Sequence, residues 1–401
     1  MSFEELSKKL AELMKDTEKL ELEDVDLLAE KLEVEFLPAM VTSAVGAALP
    51  GIGRAKGPIE WTEAVLQLGE ISYSGKIETI EFVRSNGNKV TLGGEVVPPF
   101  YNFLGIDKRN PHPPVVTYDV FDMGADMMLP KPIKQEYKDV LADPIAWAKF
   151  AVDKFGADCI TFHSLSIDPG LKDAPVENSR KILEEMLQQV KVPIIIGCSG
   201  NKEKDIELFK VTAEISESER LMLSAADKAT WEEVVPLAVK HDHNCLLWTS
   251  LDMNNQIKIN KDSMELGLAR DRIVMDPTCA TLGYGLEYSF SMYQRMRIAG
   301  LLGEDNLAFP ISGGTTNAWG AREAWMSENK VPEWGLRQYR GPIWEIFNAL
   351  SLTIVGLDLA MMFHPVAAQF VKESVGAFYK EAPKVLDEAG YMDWVSTVIK
   401  R

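Results

Sequence analysis

From about Pro114 onward the chain settles into one repeated pattern, and that pattern limits the fold more than any other feature of the sequence. A short apolar run is followed by a stretch whose apolar residues fall at helical spacing, and this happens eight times. The apolar runs are PVVTYDV, ADCITFHS, VPIIIGCSG, RLMLSAA, NCLLWTSLD, DRIVMDP, LAFPISGG and LDLAMMFHP. The helical stretches after them are PIAWAKFAVDKFG, NSRKILEEMLQQV, EKDIELFKVTAEI, TWEEVVPLAVKH, KINKDSMELGLA, YSFSMYQRMRIAG, the region from Ala318 to Leu352, and AAQFVKESVGAFYK. The runs fit parallel strands covered on both faces. Eight β–α units predict an α/β fold of the (β/α)8, or TIM-barrel, type. An open doubly wound sheet gives the same alternation. No G-x-G-x-x-G opens the first unit, however, and the eightfold count would then be a coincidence.

The flanks read differently. Residues 1–70 are expected to form an acidic helical extension and a linker. SFEELSKKLAELMK opens with a capping box, Ser2 followed by Glu5, and Leu6, Leu10, Leu13 and Met14 make one apolar stripe. The stripe suits docking onto another subunit, or packing back on its own chain. FLPAMVTSAVGAALPGIG is uncharged, but Pro38 and Pro50 bracket it too closely for a helical span, so it reads as a linker. Residues 71–112 lead into the barrel with a β-hairpin. ETIEFV and KVTL alternate on either side of Asn86-Gly87, which predicts a tight type I′ turn. The barrel is expected over 113–380 and a C-terminal amphipathic helix, APKVLDEAGYMDWVSTVIK, over 381–401.

Charge and cysteine use narrow the function. A formal charge of −18 over 401 residues repels nucleic acid and anionic membranes, so neither is an expected partner. No signal peptide is seen, and a soluble cytoplasmic protein is expected. The four cysteines, Cys159, Cys198, Cys245 and Cys279, form no C-x-x-C, which argues against a disulfide framework and against an iron–sulfur or zinc site in this chain.

In a TIM barrel the working face lies at the strand C-termini. The strand ends here offer Asp119 and Asp122, His163, Cys198 and Asn201, Ser224 and Asp227. They continue with Thr249, Ser250, Asp252 and Asn254, then Asp276 and Thr278, then Ser312, Gly313 and Gly314, and finally His364. His163 and His364 flank the strand of Asp119, so a metal site is conceivable there, although hydrogen-bonded rim histidines are the commoner case. No strand end supplies a lysine for Schiff-base chemistry. Cys198 suits a small core position as well as a thiolate. No catalytic residue and no metal ligand is therefore assigned.

Two groups remain. Gly283 and Gly285, and the pair Gly313-Gly314, let backbone N–H groups approach a ligand, or simply make turns. Asp252, Asn254 and Asp276 form the most suggestive set. They suit the amide-and-amine edge of a pterin or the propionamide arms of a corrinoid, and loop capping is the plainer alternative.

GGEVVPPFYNF, DPIAWAKFAVDKFGAD, DPTCATLGYGLEYSFSMYQRMR and MMFHPVAA together resemble the small subunit of the corrinoid iron–sulfur protein, in its archaeal form the delta subunit of the acetyl-CoA decarbonylase/synthase complex. The resemblance runs from about Gly75 to the C-terminus. It implies a barrel paired as a heterodimer with a larger gamma subunit that carries the iron–sulfur cluster and most of the corrinoid (cobamide) site. It also implies acetyl-CoA synthase and CO dehydrogenase subunits as further partners, in one-carbon metabolism such as methanogenesis from acetate. On this resemblance the chain is non-catalytic by itself. Its mouth caps the corrinoid during methyl transfer between a tetrahydropterin and the acetyl-CoA synthase site. The chain has no D-x-H-x-x-G, the signature of a corrinoid domain that supplies a histidine ligand. The residues expected to meet the corrinoid are Thr249, Asp252, Asn254, Asp276, Gly283, Gly285 and Gly313. A free-standing pterin-binding TIM-barrel methyltransferase is the alternative.

Overall fold

The computed structural model describes residues 71–103 and 109–379. The N-terminal extension, its linker and the C-terminal helix expected from the sequence lie outside the described residues. Two antiparallel strands, β1 (Thr79–Val83) and β2 (Lys89–Gly93), precede a short helix α1 (Pro99–Phe103). Eight parallel strands follow: β3 (Val115–Phe121), β4 (Ile160–His163), β5 (Ile194–Gly197), β6 (Met222–Ala226), β7 (Asn244–Trp248), β8 (Ile273–Asp276), β9 (Ile311–Gly314) and β10 (Leu357–Met362). They pair in chain order and β10 closes on both β9 and β3, which makes the predicted barrel.

The helices are α2 (Lys131–Tyr137), α3 (Pro144–Phe155), α4 (Val176–Gln189), α5 (Lys202–Ile215), α6 (Trp231–Lys240), α7 (Met253–Glu265), α8 (Leu286–Leu301), α9 (Arg322–Trp325), α10 (Arg337–Val355) and α11 (Pro365–Tyr379). Local chemistry sets their ends. In α3 the Asp143 carboxylate accepts from the N–H groups of Ile145 and Ala146, Pro144 fixes the first turn, and Gly156 ends the helix at φ 63°. Ile145, Trp147, Ala148, Ala151 and Phe155 are its buried residues. No helix among the described residues is long and apolar enough to cross a membrane.

The hairpin plugs the N-terminal end of the barrel. Ile80, Phe82 and Leu92 are fully buried against Cys159, Ile195, Met222, Leu246, Val274 and Leu359, the lower interior of the barrel. Arg84 pins the plug: its guanidinium donates to Glu219 and to the carbonyls of Leu187, Val190 and Val192. The predicted type I′ turn is replaced by a different one. Val83 pairs with Lys89, Arg84 N–H donates to the Asn88 carbonyl, and Gly87 N–H donates to the Arg84 carbonyl. Gly87 alone in this turn has positive φ, at 87°, so the loop is three residues closed by a glycine bulge.

Candidate functional site

The barrel interior changes character toward the strand C-termini. Above the apolar layer, the hydroxyls of Thr117 and Thr161 meet at 2.9 Å. One layer higher, Asp119 and His163 approach each other, with His163 Nε2 3.4 Å from Asp119 Oδ1. The His163 ring stacks on Phe121 with centroids 4.7 Å apart. It lies across Gly197, where a Cβ would come within 2.3 Å of Nδ1, so only glycine leaves room for it. The Thr316 hydroxyl donates to the second oxygen of Asp119.

Three polar atoms inside this mouth are buried without a hydrogen-bond partner among the described residues: Asp119 Oδ1, His163 Nε2 and Ser312 Oγ. Asp119 Oδ1 and His163 Nε2 face each other at 3.4 Å without forming a hydrogen bond, whereas a buried hydroxyl left dry and unpaired, as Ser312 Oγ is here, costs about 1–3 kcal/mol, so this layer is the candidate place for water or a ligand.

Asp276 ends β8 at the same level and is almost fully buried. Burial pushes its carboxyl up to about 7, against one opposing hydrogen bond from Thr278 N–H at 2.8 Å. At neutral pH it therefore exists in both forms, able to donate or to accept. Its other oxygen meets no donor among the described residues. The loop after it is tightly built. Thr278 sits at φ 78°, unusual for a β-branched residue, and its hydroxyl donates to the Thr249 carbonyl. Gly283 and Gly285, at φ 79° and 106°, allow the turn into α8. The loop hangs from α10, where Asn348 receives Leu282 N–H and donates to Thr281, and Trp344 donates to the Leu282 carbonyl.

The other rim candidates divide. Thr249 and Gly313 turn away from the mouth. The Thr249 hydroxyl donates to Gln256 on α7, and a Cβ on Gly313 would strike the Tyr293 hydroxyl on α8. Asp252 caps α7, accepting from Asn255 N–H, while Asn254 beside it is exposed. Asn201 caps α5 in the same way. Asp122 is spent on the N–H groups of Leu165 and Ser166 and the hydroxyls of Ser164 and Ser166. Burial pushes the Cys198 thiol up to about 11, away from thiolate chemistry. His364 is buried beneath Trp319, whose ring stacks on it at 5.8 Å, and burial lowers it to about 4, so it is neutral. Behind it, burial raises Glu345 to about 8 despite donation from Trp319 Nε1 and the N–H groups of Phe363 and His364.

Sequence reading missed Phe121, Gly197, Thr316 and Trp248. Phe121 and Trp248 were findable by phase, since each continues an inward series: Thr117, Asp119, Phe121 on β3, and Leu246, Trp248 on β7. Thr316 lies in the turn after β9, where no periodicity signals it.

Fold and site together define a TIM barrel plugged at one end by a hairpin, with a polar layer at the C-terminal ends of its strands. Residues 75–331 match the family described as CO dehydrogenase/acetyl-CoA synthase delta subunit. The acetyl-CoA decarbonylase/synthase complex subunit delta of Archaeoglobus fulgidus is 46% identical over 346 residues, 84% of this chain and 75% of that protein. The subunit delta of Methanothermobacter thermautotrophicus is 38% identical over 381 residues, 94% of both chains. The chain belongs to the acetyl-CoA decarbonylase/synthase delta subunit family. Among solved structures, dihydropteroate synthase of Xanthomonas albilineans with 4-aminobenzoic acid aligns with TM-score 0.46 at 14% identity, over 75% of this chain and 99% of that one.

Proposed function

We propose that this chain works as the delta subunit of an acetyl-CoA decarbonylase/synthase complex, pairs with a larger gamma subunit that carries the corrinoid and the iron–sulfur cluster, and caps the corrinoid with its barrel mouth. The methyl group then passes between a tetrahydropterin and the acetyl-CoA synthase site, in a complex that also includes CO dehydrogenase. The observation that carries this reading is the set of buried polar atoms in the mouth that make no hydrogen bond among the described residues, Asp119 Oδ1, His163 Nε2 and Ser312 Oγ, with Asp276, lifted by burial to about 7, on the strand next to Ser312.

These groups fit the amide-bearing rim of a corrinoid. Asp276 accepts from an amide N–H when ionised and donates to an amide carbonyl when protonated. Asn254 offers an exposed amide, and the backbone at Gly283 and Gly285 permits close approach. Asp252, Thr249 and Gly313 support this face from behind, the first as a helix cap and the other two through the helix layer. When bound, the corrinoid supplies a nucleophilic cobalt centre that takes up and gives up the methyl group. The chain's part is to exclude water and fix the orientation of the ring. Subunit pairing is supported by large apolar side chains left exposed on α10 and α11, namely Ile343, Phe347, Ile354, Val366, Phe370 and Phe378.

The test is to express the chain alone and with its gamma partner, then measure cobalt and iron per chain and methyl transfer from a methyl-tetrahydropterin. The expected result is a one-to-one pair holding cobalt, and a lone chain with neither metal nor activity. A cobalt-free lone chain that methylates added cob(I)alamin at a useful rate would overturn the reading in favour of a free-standing pterin methyltransferase.

A further inference from the structure

We propose that a cleft beside the mouth, with Trp248 in its wall, binds a planar bicyclic heteroaromatic ring. Trp248 is the last residue of β7 and is 37% exposed, although its phase on the strand matches the buried Leu246. Two cavities meet at this indole. One, of about 450 Å³, lies between the starts of α6 and α7 and is lined by Trp231, Trp248, Ser250, Asn255 and Ile259 among others. The second, of about 350 Å³, lies against Cys198, Phe209, Ala225 and Val234 and shares Trp248 and Asp227 with the first. Each reaches the size at which small-molecule sites begin, about 300 Å³.

The chemistry of the walls selects the ligand. Two indoles, Trp231 and Trp248, line the larger cavity, and an indole is a π system on which an aromatic ring can stack whatever its substituents. Of the charges lining the cavities, Lys202 pairs with Asp227 at 3.1 Å and Lys258 pairs with Asp262, while one lysine and one glutamate, Lys228 and Glu232, have no ion pair among the described residues. A polyanion therefore finds no cluster of unpaired cations, whereas a neutral ring meets little desolvation penalty. The Ser250 hydroxyl has no partner among the described residues and supplies an edge contact for a ring nitrogen or carbonyl. The cleft adjoins the mouth through strand register, because Trp248 pairs with Asp276 across β7 and β8. A ring held here lies next to a ligand held there.

Two rings of this class belong to the reaction proposed above, the benzimidazole-type base of a cobamide and the bicycle of a pterin. That choice rests on the proposed function, whereas the ring class rests on the cleft. The test titrates the purified full-length chain by calorimetry with 5,6-dimethylbenzimidazole and, separately, with 6-methyltetrahydropterin. The expected result is binding of one of them below about 1 mM, weakened about tenfold or more by Trp248→Ala and largely kept by Trp248→Phe. A parallel measurement on the unaltered protein follows indole N–H resonances, and those of Trp248 and Trp231 are expected to shift on addition of the same ring. No binding of either ring below about 1 mM, binding indifferent to Trp248→Ala, or binding that leaves both indole signals unmoved overturns the inference. A cobalt-containing pair in the copurification test together with no ring binding by the chain would sink the cleft alone and leave the capping role standing.

Discussion

Replacing Asp276 by asparagine should make the protein more stable at neutral pH, and the size of the gain follows from the site. The carboxyl is lifted from 3.8 to about 7 by burial. Between those values the folded chain holds a proton that the unfolded chain has released. Stability therefore falls as pH rises, by about 1.4 kcal/mol per pH unit. Above pH 7 the folded carboxyl is ionised too, and the accumulated deficit levels off at about 4 kcal/mol. Asparagine keeps an oxygen for Thr278 N–H but has nothing to ionise. Urea unfolding of both proteins from pH 4 to 8.5 gives the difference in stability at each pH. Other titrating groups, including Glu345, contribute equally to both and drop out. The difference should climb in favour of Asp276→Asn up to about pH 7 and then hold. A difference that stays flat across the range would mean that Asp276 titrates like a solvated carboxylate, and the description of the mouth would fail with it.

Other outcomes follow from named contacts. Arg84→Ala strands the buried Glu219 carboxylate and three carbonyls, and should lower stability by about 3–5 kcal/mol in thermal melts; a loss under about 1 kcal/mol would mean the plug is not anchored there. Thr249→Val leaves Gln256 Oε1 without its donor and should cost about 1–3 kcal/mol, while cobalt content and methyl transfer of the assembled pair stay unchanged. A Thr249→Val chain that is fully stable yet loses cobalt from the pair would put the hydroxyl at the ligand instead.

The barrel strands were legible because burial on both faces writes itself as an apolar run, and eight such runs leave few alternatives. Helix α2 was not, since Pro130 and Pro132 look like breakers, although proline is at home in a first turn. The hairpin was read correctly as a pair of strands and misread as a turn. Asn-Gly serves both a two-residue type I′ loop and a three-residue loop with a glycine bulge, and only the pairing of Val83 with Lys89 separates them. The mouth shows a deeper ambiguity. Each β-to-α connection needs a helix cap just beyond a strand end, and caps use the same Asp, Asn, Ser and Thr as ligand contacts. Asn201 and Asp252 proved to be caps, while Asp276, of the same chemical type and at an equivalent strand end, was left with an oxygen to spare. Sequence gives the residue type at such a position, and only the fold shows where its hydrogen bonds go.

Ile80, Phe82 and Leu92 stopper the lower end of the barrel among the described residues, which leaves the strand C-termini as the side from which a ligand would enter. Whatever settles on the inward-facing atoms of Asp119, His163 and Ser312 must come and go past the upper rim. On the proposed function, a subunit resting on that rim would control traffic by its own arrival and departure, and exchange of contents and separation of the two proteins would become one event.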